Sequence, residues 1–376
     1  GCFGYYGREK YTSAYWASLF FGTEYQSYSF GRFWPWQVNG LLRNNHNNCD
    51  FYLFECPFWQ KIFFVFIKGF WIPRWMDVGF NLASMKNDVW LGKNRRWKEI
   101  KRRIRKNGLS YKFSQNPSEL DYFYKKMYLP YVENRFGDKV GGAAPFKKLR
   151  KWFRNGEILF ITQDSQLIGG QIIKYRNGEA RMCVLGVLDG NFSFVRMGAI
   201  GALYHYSLER MKERGYCYVN VGGTSPVLSD GVARFKISLG AEVIRKKTKY
   251  TIKLVLRKNS QTMRDFLAQN PFIFSKDGSG GPCRAIFTVP ERIKTEKSLE
   301  CLLDESECKG LLRTYIYVFD DEKLAGMDQD GVNKVSSFVM RPASQMFYSD
   351  LSRNTIVPTK KEEPRFTSYC VRKHPG

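Results

Sequence analysis

Near residue 155 the spacing of apolar residues changes from helical to strand-like. Between 90 and 106, Trp97, Ile100 and Ile104 recur at intervals of three and four and Asn107-Gly108 supplies a stop. The spacing predicts a helix with one apolar face and an otherwise basic surface. Ser118, with Asp121 three residues on, predicts a capping box for a helix burying Leu120, Phe123 and Met127, which Pro130 should kink or break. A further helix is predicted over 145–154. Beyond it, 158–163, 167–175 and 180–188 read as strands joined by Asp164-Ser165-Gln166 and Arg176-Asn177-Gly178. Asn-Gly is a strong hairpin signal, so an antiparallel meander is expected, with Gly169-Gly170 marking a bulge or a close backbone approach. A long helix over 198–213 should bury Ile200, Leu203, Leu208 and Met211 and stop at Gly215. A short strand at 216–221, a Gly222-Gly223 turn, a short helix over 231–239 and a closing strand pair, 243–246 with 250–257, complete the order βββ-α-β-α-β.

Elsewhere the pattern is weaker. Residues 1–60 are rich in Tyr, Phe, Trp, Gly and Asn with little periodicity; 53–66 reads as strand material interrupted at Pro57, and the run Ile62–Ile67 reads as a buried strand ending at Lys68. After Arg257, a loop at 277–282 leads into an acidic region with helix and strand pieces at 298–303 and 313–319, and the tail from about 352 is expected to be mobile.

Composition sharpens this picture in three ways. Of 376 residues 43% are hydrophobic and 16% aromatic, enough for real cores. No apolar run reaches the roughly 18 residues that span a bilayer, and no basic-then-apolar leader is visible, so cytoplasm is the expected compartment. Nine cysteines without a CxxC pair argue against a disulfide framework or zinc site, and three histidines (46, 205, 374) against a histidine-rich metal site, so no metal is expected. Sixty Lys and Arg against 35 Asp and Glu leave a net charge of +25, and the pI is near 9.6, which calls for an anionic partner. The excess is concentrated in Lys93–Lys106, nine basic residues against Glu99 alone, and such a run serves either as a solvated helix face or as a phosphate-binding surface.

The element order and four local motifs resemble the GNAT superfamily of N-acyltransferases, in particular its FemAB-like and acetyltransferase-6 (BioF2-like) branch. The motifs are the basic helix with Arg95, Arg96, Ile100, Arg103, Ile104, Lys106 and Asn107-Gly108; the helix from Gly201 to Gly215; Tyr218-Val-Asn-Val-Gly-Gly223; and Asp230-Gly231 with Phe235-Lys236 and Leu239-Gly240. The resemblance covers roughly 90–258. It implies an α/β (α+β) domain with a mixed, mainly antiparallel sheet flanked by helices, and a partial second lobe of the same kind. The expected division is then an aromatic-rich lobe at 1–89, the acyltransferase domain at 90–258, an acidic appendage at 259–351 and a flexible tail at 352–376.

The resemblance further implies acyl transfer to an amine, with acyl-CoA such as acetyl-CoA as the donor in most relatives and aminoacyl-tRNA in the FemAB branch. A splayed strand would offer backbone N–H groups to the donor, here Val184, Leu185, Gly186 and Val187. The donor's phosphates would lie near the following helix start, at Arg196, Gly198 and Gly201, with Phe235 nearby. The run Arg196-Met-Gly198-Ala-Ile-Gly201 departs from the better-known Arg-x-x-Gly-x-Gly/Ala pattern, and a plainer reading gives these glycines a packing role. For proton transfer, Asp189, Tyr204, His205 and Asp230 are candidates, with Lys236 as a cation for a phosphate or an oxyanion. Their plainer roles are a packed histidine and a lysine whose stem covers apolar surface. Three functions follow: a CoA-dependent N-acyltransferase, an aminoacyl-tRNA-dependent transferase with tRNA on the basic helix, and a non-catalytic basic nucleic-acid-binding module on the same scaffold.

Overall fold

The computed structural model describes residues 2–7, 10–22, 25–43, 49–84, 94–137, 143–176, 178–244, 250–276, 281–293, 295–305, 307–320, 338–347 and 366–373. His46, Lys93, Asn177, 245–246, 277–280 and His374, singled out above, lie outside them. Two compact units form, each discontinuous in sequence: Gly1–Met76 with Thr224–Arg234 and Arg245–Gly376, and Asp77–Gly223 with Phe235–Ile244. The class is α/β, with mixed sheets flanked by helices. No helix among the described residues is long and apolar enough to cross a membrane.

The first unit opens with β1 (Cys2–Gly7), α1 (Lys10–Phe21), β2 (Tyr25–Phe33), α2 (Val38–Arg43), β3 (Phe51–Pro57) and β4 (Phe70–Pro73). Along β3, Phe51 and Leu53 enter one apolar cluster while Tyr52 and Phe54 enter another, so both faces of this strand are buried. The run expected as a buried strand at 62–67 is corrected here: the chain leaves β3 at Pro57 into a 3-10 helix, Phe58–Phe64, and Ile62, Val65 and Phe66 face solvent.

The second unit begins with β5 (Met76–Asn81), followed by α3 (Arg95–Lys106), β6 (Ser110–Ser114), α4 (Pro117–Tyr122), a π-helical turn (Phe123–Tyr128), α5 (Leu129–Phe136) and α6 (Phe146–Phe153). Next come β7 (Gly156–Gln163), β8 (Gln166–Arg176), β9 (Glu179–Val187), α7 (Phe192–Met197), α8 (Ala199–Glu213), β10 (Tyr218–Thr224), α9 (Gly231–Ser238) and β11 (Glu242–Val243). The sheet order is β11-β5-β10-β9-β8-β7-β6. The predicted meander is present as β7-β8-β9, antiparallel throughout. Asp164 and Ser165, both at positive φ, form the first hairpin loop, and Gly178 at φ +74° closes the second.

Helix α3 forms as its spacing predicts, with Asn94 capping Arg96 and Trp97 N–H and with Trp97, Ile100 and Ile104 buried. The capping box expected at Ser118 is replaced by Asn116, two residues earlier, whose side chain accepts from Ser118 N–H. Pro130 does not break the helix. It follows the π-helical turn, in which Leu129 N–H reaches back five residues to Tyr124 O. Of the four residues expected inside α8, Leu203, Leu208 and Met211 are buried and Ile200 is half-buried.

The closing strand pair does not form. β11 pairs with β5, whereas β12 (Tyr250–Leu256) pairs with β3 and β4 in the first unit. That unit continues with α10 (Gln261–Gln269), β13 (Phe272–Phe274), β14 (Cys283–Thr288), α11 (Glu296–Glu305), β15 (Arg313–Val318), β16 (Phe338–Pro342) and β17 (Phe366–Lys373). Strands β13-β14-β15-β16 form a second sheet, and the helix and strand expected at 298–303 and 313–319 are α11 and β15. Within the segment expected as a mobile tail, β17 inserts between β1 and β2.

Glycine decides how the second unit's sheet is covered. Gly170 and Gly186 are cross-strand neighbours on β8 and β9. A Cβ on Gly170 would sit 2.7 Å from the Phe123 ring, and one on Gly186 would sit 2.4 Å from Met127 O, so the π-helical turn lies with its backbone on the sheet. On the opposite face Gly169 meets Ala199 and Leu203 of α8. Gly186→Ala should therefore destabilise the protein by about 1–3 kcal/mol, seen as a lower denaturant midpoint. Gly231→Ala, whose Cβ meets nothing within 4 Å, should leave it unchanged.

Candidate active site

The site is built where β9 parts from β10. The parallel pairing consists of Val219↔Ala180 and Asn220↔Arg181. After Arg181 the two strands have no ladder to one another among the described residues, although β9 runs on to Val187 and β10 to Thr224. On its other edge β9 carries a bulge: Gln171 pairs with Leu185 and Ile173 with Met182, so Cys183 and Val184 oppose Ile172 alone. The extra residue re-aims the backbone at the point of divergence. Val184 and Leu185 are half-buried there, and Gly186 and Val187 are buried beneath the π-helical turn and α5.

The end of β9 is fixed by the same helix. Asp189 has φ +49° and Gly190 φ +63°, and a Cβ on Gly190 would sit 2.5 Å from Pro130 O. The Asp189 side chain is exposed, so this candidate stands at the rim.

Lys236 reaches the end of β10. Its buried Nζ donates to Gly222 O at 3.3 Å and Gly223 O at 2.9 Å, and a Cβ on Gly222 would be 3.3 Å from Met182 O. Gly222, at φ +82°, donates its N–H to Asn220 Oδ1 at 2.8 Å. The lysine therefore holds the turn of β10 that diverges from β9. Beside the last paired residues, buried Asp77 accepts from Asn220 Nδ2 at 3.2 Å and lies 3.4 Å from Arg181 Nη1. This cluster was missed in the sequence, where its one trace is an aspartate inside the apolar run Met76–Phe80.

Tyr204 and Phe235 meet edge to face at 5.2 Å. Burial pushes the Tyr204 phenol far above its usual range, so it stays neutral, with Tyr131 and Arg135 nearby. Cys183 is also pushed up by burial, to about 11, and stays a thiol. His205 faces elsewhere, with its ring 6.3 Å from Trp97 of α3 and Nε2 3.3 Å from Glu209. Asp230 belongs to the first unit, which takes in the first turn of α9 up to Arg234, and its carboxylate caps that turn by accepting from Val232 and Ala233 N–H. Gly198, at φ +116°, breaks α7 from α8, and its Cβ would sit 3.0 Å from Arg103; Gly201 abuts Ile100 in the same way at 2.8 Å. The Arg196 side chain is exposed, and its carbonyl accepts from Arg103 Nη1 at 2.9 Å.

A separate cavity of about 810 Å³ is lined by Leu120, Asp121, Phe146, Arg150, Phe153 and Tyr175, among others, and by none of the candidate residues above. Behind it, buried Glu157 accepts from Tyr175 and pairs with Arg210 and Arg214 at 3.4 and 2.9 Å. Sequence reasoning missed this network too.

No protein-family model matches the chain, and no curated protein sequence matches it. Among solved structures it is similar to L-PGS from Bacillus licheniformis, at 14% identity over 62% of this chain and 77% of that one with a TM-score of 0.34. It is also similar to FemX, at 11% over 57% and 76% with a TM-score of 0.38. PaiA N-acetyltransferase from Thermoplasma acidophilum in complex with coenzyme A matches at 13% over 39% and 98% with a TM-score of 0.25. Likenesses this distant add nothing to what the site itself says.

Burial, with a contribution from Lys101, lowers the His205 pKa from 6.5 to about 4 and outweighs the half-exposed Glu209. The unfolded chain therefore takes up the proton first. Stability from the neutral ring is complete above pH 6.5 and declines as the pH falls towards 4, by up to about 1.4 kcal/mol per pH unit. His205→Phe should flatten that part of a plot of Tm against pH; an unchanged slope would show the ring to be charged in the native state.

Proposed function

We propose that the unit 77–223 with 235–244 is an N-acyltransferase of GNAT type that moves an acyl group from an acyl-CoA to an amine. The observation that carries this is the end of the β9-β10 ladder after two paired residues, beside the bulge of β9 at Cys183-Val184. A strand edge without its ladder has N–H and C=O groups to spend on an extended ligand, and the amide-bearing arm of a CoA thioester can add there as a strand would. The amine nitrogen then bonds to the thioester carbon, the carbon–sulfur bond breaks with the pair leaving on sulfur, and the amine proton must be taken up. Backbone N–H groups within 183–187 would meet the transient oxyanion in a partly buried setting, where such donors are most effective.

Residue roles follow from position. Tyr204, as a neutral donor, suits the leaving sulfur, and Asp189 at the rim suits proton removal to solvent. Arg196, exposed near the break between α7 and α8, suits the donor's phosphates. Lys236 is spent on two carbonyls and suits a positioning role better than a chemical one.

One observation favours aminoacyl-tRNA as the donor instead: Arg95, Arg96, Lys98, Arg102, Arg105 and Lys106 are all exposed on α3. Binding through that face would weaken steeply with salt.

Thermal-shift titration with acetyl-CoA and longer acyl-CoAs decides between the donors. At a hundredfold excess over Kd, a ligand specific to the native state adds about 2.7 kcal/mol. A saturable rise in Tm is expected, shifted to about tenfold higher ligand concentration by Arg196→Ala. A protein that melts cooperatively and responds to no acyl-CoA, but binds aminoacyl-tRNA in a salt-sensitive way, would transfer the reading to the second donor. Nucleic-acid binding without acyl transfer from either donor would leave a binding module.

A further inference from the structure

The segment Phe58-Trp-Gln-Lys-Ile-Phe-Phe-Val-Phe-Ile-Lys68 carries apolar side chains on its outer side as well as its inner one. Gln60, Phe64 and Ile67 turn inward and are buried. On the other side Phe58 is 58% exposed, Trp59 61%, Ile62 70%, Val65 62% and Phe66 93%. Core packing does not require these five, since Phe64 already anchors the segment against Phe54 and Trp71 at 5.4 and 6.1 Å. Five large apolar side chains, each more than half exposed within nine residues, form the kind of contiguous patch that marks an interaction surface.

Cations lie within the patch. Lys61, half-buried, sits between the Phe58 ring at 4.6 Å and the buried Trp71 ring at 5.2 Å, and Lys68 is exposed at the far end. The stacked pair Trp34 and Trp36, 4.7 Å apart, adjoins it through Phe63, 6.3 Å from Trp36. Protruding apolar side chains, tryptophans at their margin and lysines rather than acids between them match the layered chemistry of a bilayer surface carrying negative charge. A second copy of this chain would bring like cations together, and the net charge of +25 opposes that further.

We propose that the face formed by Phe58, Trp59, Ile62, Val65 and Phe66 docks onto an anionic phospholipid bilayer, inserting these side chains to the depth of the acyl boundary while Lys68 at its end remains among the headgroups. This does not depend on the acyltransferase reading.

The test is co-sedimentation of the full chain with large vesicles, either of phosphatidylcholine alone or of phosphatidylcholine and phosphatidylglycerol in equal parts. The wild type should pellet with the anionic vesicles and far less with the neutral ones. A double variant, Ile62→Ser with Phe66→Ser, alters exposed side chains only, so its Tm should be unchanged while its vesicle affinity falls at least about tenfold. Lys68→Ala should reduce the preference for the anionic vesicles. Equal pelleting of the wild type and the serine variant would overturn the proposal, because binding would then come from charge elsewhere on the chain. A wild type that ignores vesicles and is dimeric in solution, becoming monomeric with the serine substitutions, would overturn it in favour of a second copy.

Discussion

The end of β9 depends on a close contact between one helical segment and three glycines, backbone against backbone at Gly186 and Gly190 and side chain against backbone at Gly170. Gly170, Gly186 and Gly190 have no Cβ, and the segment from Phe123 to Asn134 rests where those atoms would have been. The approach is close enough that any side chain at Gly186 would displace the Met127–Tyr128 backbone. That contact covers the last residues of β9, which have no ladder partner on β10, and gives them a fixed surface to lie on. The widened turn suits a proline at 130, which has no N–H to give to a normal helical register.

Much of this scaffold is legible in the sequence because it is local. Alternating apolar residues between turn dipeptides fix the β7-β8-β9 meander, and Gly169-Gly170 signals a close approach before its partner is known. The π-helical turn left no such mark, because Phe123, Met127 and the residues between them suit an ordinary helix equally well. The partners of 243–246 and 250–257 were also hidden. Adjacent strand-like runs suggest each other, yet β11 and β12 find their partners in the distant β5 and β3. Asp77, 104 positions from Arg181 and 143 from Asn220, belongs to a constellation that no periodicity reports.

The run Ile62–Ile67 failed for a different reason. Burial implies apolar residues far more strongly than apolar residues imply burial. A short greasy run fits a central strand, a buried helical turn or an exposed face alike. Pro57 ends the β3 ladder, and a 3-10 turn then spreads its side chains around the axis, so some of them must face out. In the basic helix the opposite balance holds. Glu99 is held well below the usual carboxylate range by hydrogen bonds from Arg102 and Arg103, and its single charge offsets one of the nine cations of 93–106, so the outer face stays positive.

Lys236 shows how positioning and chemistry divide at such a site. A buried ammonium needs several acceptors, and the nearest are the carbonyls of Gly222 and Gly223 on the diverging strand. Meeting that need pulls the β10 turn towards α9, and Asn220, holding Gly222 N–H from the other side, resists its return to β9. The end of the ladder is thus held by hydrogen bonds on the β10 side and by glycine packing on the β9 side. Two independent restraints therefore act on the backbone where the β9-β10 ladder ends.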